Sequence, residues 1–408
     1  ASAMTINNIG AIELQGTDSN GIYTKGTGTK TIINSGTIKI GNSLDDTKPG
    51  IGIYSENGDT ITNNGTLEAG TSSVGVYIKA GTIANNGQIG AGSDGTGIYA
   101  DGTTANLNTG SSLNIGEDNG VGVYAINGSN VLNDGITTIG NESYGFALKS
   151  GSNLVNNTAA TLGDNAVLVY GDGAGAITNN GQLTMTGSNN VGIYTVNGGT
   201  IWNKAAINGT TGQANIGVYN NSGSINNTGN ISVGDSIITD PTDSAKNSYA
   251  IGIYGDRSAV ENHGNITLYG NDVIGIAGKG SAKVTNHGII TVEGQGATGI
   301  YGTLNTVVDN QGTINVSGTD SVGIIAPKGK ILNNGTINFI NGAKMTAMDN
   351  EYEIPELINA GIIKVNGNFE NEGMKISLKP DLSTLQESSV AGIDFIMNSG
   401  SISADILT

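Results

Sequence analysis

The chain has 408 residues, of which 67 are glycine and 5 are proline, with no cysteine and a formal net charge of −17. This charge excludes the basic surface that binding to nucleic acid or to anionic membranes requires, and the absence of cysteine excludes disulfides and thiolate chemistry. No apolar run approaches the roughly 18 residues that a membrane-spanning helix needs.

A short phrase, aliphatic-Gly-aliphatic-Tyr, recurs along most of the chain. Copies of its last position stand at residues 23, 54, 77, 99, 124, 147, 170, 194, 219, 254, 277, 301 and 325. A nearly fixed period of this size indicates stacked structural units, and it is the property from which the fold follows.

A second phrase, aliphatic-x-Asn-x-Gly-x-aliphatic, lies between successive copies of the first. We place its Asn column at residues 34, 63, 85, 108, 133, 156, 179, 203, 226, 262, 286, 310, 333 and 359. Apolar positions alternate with period 2 in short runs between glycines, which is typical of strands. The sequence therefore predicts an all-β, right-handed parallel β-helix of about 23 residues per coil and roughly 14 coils.

The alternation also predicts which side chains face the core. In the copy at residues 74–78, the aliphatic side chains share one parity, whereas Gly75 and Tyr77 share the other. Burying the aliphatic columns removes more apolar surface from water, so we expect the Gly and Tyr columns to face outward and to border a shallow groove. The Asn column has core parity, which predicts an internal ladder of hydrogen-bonded amides.

Two coils carry extra segments, 41–50 and 234–248, each just before a Tyr phrase. Insertions in solenoids form loops on one face, often a binding face. Their carboxylates could bind a hard cation such as Ca²⁺, but no known calcium-loop spacing is present, so we predict solvated acidic loops and neither a metal nor a cofactor. The acidic residues are Asp45, Asp46, Asp235, Asp240 and Asp243.

The Tyr column is the other candidate for ligand binding. Exposed Tyr rings could stack on sugars or peptides, although stacked rings also stabilise a solenoid by themselves. Tyr194, Tyr219 and Tyr254 lie in the coils around the second insertion, so we take them, together with the acidic loop residues, as candidate ligand-binding residues. Adjacent coils also place His263 and His287 in one column. The pair could bind a metal or sense pH, or it could simply occupy an exposed polar position of the repeat.

Catalysis is not predicted. Lyases that act on polyuronates need cations around the substrate, and this acidic chain contains a single arginine, Arg257. The Asp cluster with a nearby Arg-x-Lys that β-helical hydrolases use is missing, and no nucleophile elbow is present.

We divide the chain into repeats at 1–340 and an irregular continuation or C-terminal cap at 341–408, where the two phrases decay. Residues 1–4 carry no signal-peptide pattern and resemble a processed or recombinant end. We expect the chain to be a piece of a longer protein.

The two repeated phrases, with Met374–Leu382 and Ile393–Phe395 after them, resemble the passenger of a large monomeric autotransporter adhesin, closest to fusobacterial outer-membrane adhesins of the RadD type. The resemblance implies a monomeric cell-surface passenger, anchored in the outer membrane through a C-terminal β-barrel outside this chain. It also implies adhesion to host cells or other bacteria, with roles in biofilm and virulence.

The predicted function is adhesion by an elongated β-helical rod that binds a glycan or protein on a host or bacterial surface. A passive spacer of a longer adhesin is the first alternative. A polysaccharide-acting enzyme or a toxin passenger is the second alternative.

Overall fold

The structure is a computed structural model that describes residues 4–45, 47–303, 305–327, 329–340, 346–349, 357–367, 396–398 and 401–406. In these residues the regular structure is β-strand, apart from one short 3₁₀ helix at Ser244–Lys246. None of the described residues forms a helix that is long and apolar enough to span a membrane. The chain divides into two compact units, Ala1–Ala205 and Ala206–Thr408.

Each unit is a parallel β-solenoid, which confirms the predicted fold class. Each regular coil contributes three strands, and each strand pairs in parallel with its counterpart in the next coil. The chain makes about 14 turns of about 24 residues, and the hand of the coil stays a prediction. We call the three sheets the asparagine sheet, the middle sheet and the tyrosine sheet, in the order in which the chain passes through them.

The first unit contributes 25 strands. In the asparagine sheet they are Met4–Asn8, Lys30–Asn34, Thr60–Asn63, Thr82–Asn85, Thr104–Leu107, Asn130–Asn133, Asn153–Asn156, Ala176–Asn179 and Thr200–Asn203. In the middle sheet they are Ala11–Leu14, Thr37–Ile40, Thr66–Ala69, Gln88–Ala91, Ser112–Ile115, Ile136–Ile139, Ala160–Leu162 and Leu183–Met185. In the tyrosine sheet they are Asn20–Thr24, Ile51–Ser55, Val74–Lys79, Thr96–Asp101, Val121–Ile126, Tyr144–Lys149, Val167–Asp172 and Val191–Val196.

The described part of the second unit contributes 21 strands. In the asparagine sheet they are Ser224–Asn227, Ala259–Asn262, Lys283–Asn286, Val307–Asn310, Lys330–Asn333, Leu357–Asn359 and Ile396–Asn398. In the middle sheet they are Ile207–Gly209, Ile231–Val233, Asn265–Leu268, Ile289–Val292, Thr313–Val316, Thr336–Ile340, Ile362–Gly367 and Ser401–Ile406. In the tyrosine sheet they are Ile216–Asn221, Ile251–Asp256, Ile274–Lys279, Thr298–Gly302, Val322–Ile325 and Thr346–Asp349.

The C-terminal region contains short strands that continue this pairing. Leu357–Asn359 pairs with Lys330–Asn333, and Ile362–Gly367 pairs with Thr336–Ile340. The division at residue 340 stays a prediction. The segments Met374–Leu382 and Ile393–Phe395, which carried part of the resemblance, lie outside the described residues.

The core of each unit is a stack of aliphatic side chains in register. Ile61, Leu67 and Ile78 have no exposed surface, and each has a buried counterpart in the neighbouring coil, as Ile83 has for Ile61. Buried residues alternate with partly or fully exposed ones in the asparagine and middle sheets, as in Thr60–Asn63 and Thr66–Ala69, although Thr285 is an exception. Apolar burial along these columns is therefore the main stabilising term.

The tyrosine sheet departs from this alternation, and the prediction that its Gly column faces outward is wrong. Gly75 and Val76 are both buried, whereas Val74 and Tyr77 are partly exposed. A Cβ on Gly75 would lie 2.5 Å from the carbonyl oxygen of Gly97 and 2.6 Å from Leu67 Cδ2. Glycine is needed here because neighbouring coils approach too closely for a side chain.

The predicted amide ladder is confirmed by hydrogen bonds between Asn side chains of successive coils, all of them buried except the partly exposed Asn8. The Nδ2 of each donates to the Oδ1 of the next at 2.7–2.9 Å, in the runs 8–34–63–85, 133–156–179–203 and 227–262–286–310–333. Two predicted members are wrong. Leu107 occupies the ladder position instead of Asn108, and Asn227 occupies it instead of Asn226.

Candidate functional site

In the first unit the Tyr column is stacked on itself. The ring centroids of Tyr23, Tyr54, Tyr77, Tyr99 and Tyr124 follow one another at 4.8–5.2 Å, with interplanar angles of 8–29°. Such offset stacks contribute about 0.5–1.5 kcal/mol per pair. These rings are engaged with one another, so this part of the column fits the structural interpretation better than a ligand platform.

The first unit also shows what happens when a Tyr is missing from the column. Ala147 stands in register between Tyr124 and Tyr170. The Lys149 ammonium lies 5.6 Å from the Tyr124 ring centroid, and Tyr144 packs edge-on against Tyr170 at 6.0 Å. Side chains of the same coil therefore cover the neighbouring rings.

The second unit contains a comparable interruption with a different outcome. Tyr219 and Tyr254 meet at 5.1 Å with an interplanar angle of 85°. The next position holds Ala277, which is only 5% exposed, and the one after it holds Tyr301. The column is thus interrupted next to the coil that carries the longest insertion.

The insertion is an ordered loop built from its own polar side chains. The backbones of Ile237 and Ser248 exchange two hydrogen bonds of 2.8 and 2.9 Å, and Asn247 Oδ1 accepts from Thr239 N at 2.9 Å. Ser236 Oγ donates to the Asp272 carbonyl at 2.8 Å, which ties the base of the loop to the neighbouring coil. These hydrogen bonds therefore hold the loop in a defined position relative to the solenoid.

A cavity of about 440 Å³ lies between this loop and the tyrosine sheet, and we call it the loop pocket. Ala277, at the interruption of the Tyr column, is part of its wall. Aromatic, hydroxyl and charged side chains all contribute to its wall, which is the mixture expected of a small-molecule site. The lining residues are Ser244, Tyr249, Ile251, Tyr254, Asp272, Val273, Ile274, Ala277, Gly278, Lys279, Gly296, Thr298, Tyr301 and Thr303.

The wall of the loop pocket contains both acidic and basic side chains. Burial, and after it the nearby Asp235 carboxylate, raises the pKa of Asp272 above 3.8. Burial, and after it the neighbouring Tyr219, raises the pKa of Tyr254 above 10.0. The Lys279 ammonium adds one positive charge to the wall. The pocket thus offers an anionic acceptor, a cationic donor and several neutral hydroxyls.

The predicted acidic residues of the second loop serve mainly to shape it. Asp240 accepts from Thr242 and from the Lys246 ammonium, and these hydrogen bonds lower its pKa. Asp243 caps the 3₁₀ helix, accepting from Ala245 N at 3.1 Å. Asp235 Oδ1 accepts from the Asn271 backbone at 2.8 Å. None of the three lines the loop pocket.

The acidic residues of the first loop show the same behaviour. Asp45 accepts from the Thr47 hydroxyl and backbone amide, which lowers the pKa of its carboxyl. Asp46 lies outside the described residues. Across the part of the chain that the structure describes, no group of three or more His, Cys, Asp or Glu side chains is placed to hold a metal ion.

The remaining sequence candidates separate in the structure. Of the three candidate tyrosines, Tyr254 lines the loop pocket. The ring of Tyr219 packs edge-on against the ring of Tyr254. Tyr194 lies in the first unit, where its ring stacks on that of Tyr170 at 5.8 Å. His263 and His287 stack at 4.5 Å with Glu261 3.9 Å from the first ring. Both histidines are exposed, in a polar column on the surface of the solenoid.

Sequence reasoning missed Tyr249, Asp272 and Lys279, which reach the pocket from a loop, a turn and the end of a strand, respectively. One signal was available: Ala277 stands where the repeat has Tyr, close to the longest insertion.

A protein-family model described as the BigA third pectate lyase-like domain matches residues 103–303 and 159–354, which together cover more than half of the chain. No curated protein and no solved structure matches the chain.

Proposed function

We propose that this chain, which belongs to the family of the BigA third pectate lyase-like domain, is an adhesin-type passenger at a bacterial surface and binds a partner cell through the loop pocket. Membership of this family supports the assignment as a surface passenger. The loop pocket is the observation that supports the location of the binding site. The finer assignments, namely a monomeric RadD-type autotransporter anchored in the outer membrane with roles in biofilm and virulence, are part of the same proposal.

The proposed activity is binding and not catalysis. Glycoside hydrolases generally need two carboxylates across the scissile bond, and the wall of the loop pocket holds one, Asp272. A polyuronate lyase would have to gather an anionic substrate, and the wall offers one cation, Lys279, beside that carboxylate.

A passive spacer is the alternative that the first unit favours. Its Tyr rings stack on one another and its polar columns are hydrogen-bonded between coils, as in Asn86 to Asn64 and Asn180 to Asn157. A surface satisfied in this way is suited to stability. The proposal therefore places the adhesive site in the second unit.

Excision of the second loop separates these two possibilities. The backbones of Ile237 and Ser248 are hydrogen-bonded to each other, so a two-residue Gly linker can replace the segment between them without opening the coil. Shortening of the segment 43–48 in the first unit is the matched control. Binding of each purified chain to epithelial and bacterial cells would be measured by flow cytometry.

We expect saturable binding by the intact chain and by the control, and at least a tenfold weaker binding after excision of the second loop. Equal binding by all three chains would contradict the assignment to the loop pocket. Absence of binding by the intact, folded chain would support the spacer.

A further inference from the structure

The interruption at Ala277 separates two Tyr positions in the wall of the loop pocket, which has a volume of about 440 Å³. Tyr254, Ala277 and Tyr301 occupy one register position in three successive coils. At ~4.8 Å per coil, the two Tyr positions are roughly 10 Å apart. A ring lying over Ala277 would be about 5 Å from each, which is the distance at which aromatic rings contact a neighbour.

The interruption at Ala147 in the first unit has different surroundings. There, Tyr144 and Lys149 of the same coil cover the adjacent Tyr rings. Their counterparts in the coil of Ala277 are Ile274 and Lys279, and both line the loop pocket. The second interruption is therefore part of the wall of a cavity.

The wall matches the two faces of a sugar ring. A pyranose has an apolar C–H face, which can be buried against Tyr254 or Tyr301, and a rim of hydroxyls that need hydrogen-bond partners. The Asp272 carboxylate and the hydroxyls of Ser244 and Thr298 supply such partners. Lys279, which also lines the pocket, can donate to a sugar oxygen.

Other ligands fit the wall less well. A purely apolar ring, such as a phenylalanine side chain, would desolvate Asp272 and the hydroxyls without replacing their water. An anionic sugar would meet the Asp272 carboxylate on a molecule of net charge −17.

We propose that the loop pocket binds one uncharged pyranose residue of a cell-surface glycan, with its ring over Ala277 between Tyr254 and Tyr301. This inference rests on the proposed function, because it names the ligand class of the same site.

The test uses the interruption itself. Ala277→Tyr restores the Tyr column and fills the pocket, whereas Ala147→Tyr makes the same change in the first unit and is the matched control. Saturation-transfer NMR would be recorded on both folded variants and on the unaltered chain, each with glucose, galactose, mannose, N-acetylglucosamine and N-acetylgalactosamine.

We expect saturation transfer to at least one of these sugars for the unaltered chain and for Ala147→Tyr, and its loss for Ala277→Tyr. Transfer that persists in Ala277→Tyr, or no transfer to any of the sugars, would overturn the proposal. Competition by free phenylalanine or tyrosine in place of the sugars would also overturn it, in favour of a peptide ligand.

A second variant guards against loss of folding. Asp272 has a φ of 55°, a conformation that Asn also tolerates, so Asp272→Asn removes the charge while keeping the turn. We expect roughly tenfold weaker binding of the same sugar, as for loss of a charge-assisted hydrogen bond. Unchanged affinity would contradict the role of Asp272. Cell binding that survives Ala277→Tyr would leave the adhesin function standing and remove only its sugar site.

Discussion

At the scale of single residues, the buried amides show why polar side chains persist in the core. Asn179 is 1% exposed, accepts from Asn156 Nδ2 at 2.8 Å and donates to Asn203 Oδ1 at 2.9 Å. Each Asn thus satisfies the one before it and the one after it. Such a chain of bonds is favourable only when every member is satisfied.

Asn179→Leu tests this ladder. Leu fits the space, because Leu107 occupies the same position in another coil and is 1% exposed. The change removes both ladder bonds of Asn179, and we expect it to lower the free energy of unfolding by about 1–3 kcal/mol. Denaturant unfolding followed by circular dichroism would measure the loss.

The control for this variant is Asn180→Leu. Asn180 is exposed, and its amide donates to Asn157 Oδ1 at 2.7 Å in water. A change of less than about 1 kcal/mol is expected there. Equal losses for the two variants would mean that burial of the ladder carries no weight.

At the scale of the strand, the glycines are not interchangeable. A Cβ on Gly75 would meet a backbone carbonyl of the next coil and a core side chain. A Cβ on Gly90, in the middle sheet, would have no neighbour closer than 3.9 Å. Close packing between coils therefore requires glycine at position 75. At position 90 no such packing requires glycine, and its greater loss of conformational entropy on folding destabilises the strand.

The paired variants Gly75→Ala and Gly90→Ala should therefore change stability in opposite directions. We expect the first to destabilise the fold by about 1–3 kcal/mol through overpacking, and the second to stabilise it by up to about 1 kcal/mol. Thermal melting of both variants checks this expectation. A neutral Gly75→Ala would show that neighbouring coils can move apart, contrary to the close approach described here.

The same comparison explains how far the sequence could predict this fold. The period and alternation were enough for the parallel β-solenoid, because residues of similar type stack in register from coil to coil. The inward turn at Gly75 breaks the alternation that was used to assign faces. Leu168 replaces Gly at this position in one coil and is fully buried. An aliphatic residue in the Gly column was the sequence signal that this column faces the core.

The candidate site was less predictable, for a physical reason. Repeats report only what is common to all coils, whereas the loop pocket depends on one loop and one interruption. Tyr254 was found because it belongs to the column, but Tyr249 and Asp272 depend on the path of a loop and a turn. That path is set by side-chain hydrogen bonds such as those of Ser236 and Asn247, which no periodicity encodes.

At the scale of the whole molecule, charge and the Tyr column together set an alkaline limit. The chain carries a net charge of −17 at pH 7 and contains 14 tyrosines, so each tyrosinate that forms adds to an existing repulsion. Burial raises the pKa of Tyr77, Tyr99 and Tyr254 above their ordinary value of 10.0, and neighbouring Tyr or Asp groups add to the effect. The hydrogen bond to Glu56 acts in the same direction on Tyr54, after burial.

The sign of the resulting pH dependence follows from linkage. A phenol with a raised pKa in the folded state holds its proton more tightly there than in the unfolded chain. Its contribution to stability is complete below pH 10 and is lost as the pH rises through the folded-state value. We therefore expect the melting temperature to be nearly constant from about pH 7 to 9 and to fall above about pH 10.

Absorbance at 295 nm measures phenol ionisation directly and can be compared with unfolding by circular dichroism. We expect part of the tyrosine signal to appear only as the chain unfolds. Tyr77→Phe keeps the stacked ring but removes the hydroxyl, and should reduce the alkaline loss of stability. If every tyrosine instead ionised near pH 10 with the fold intact, then burial of the column would place no alkaline limit on the protein.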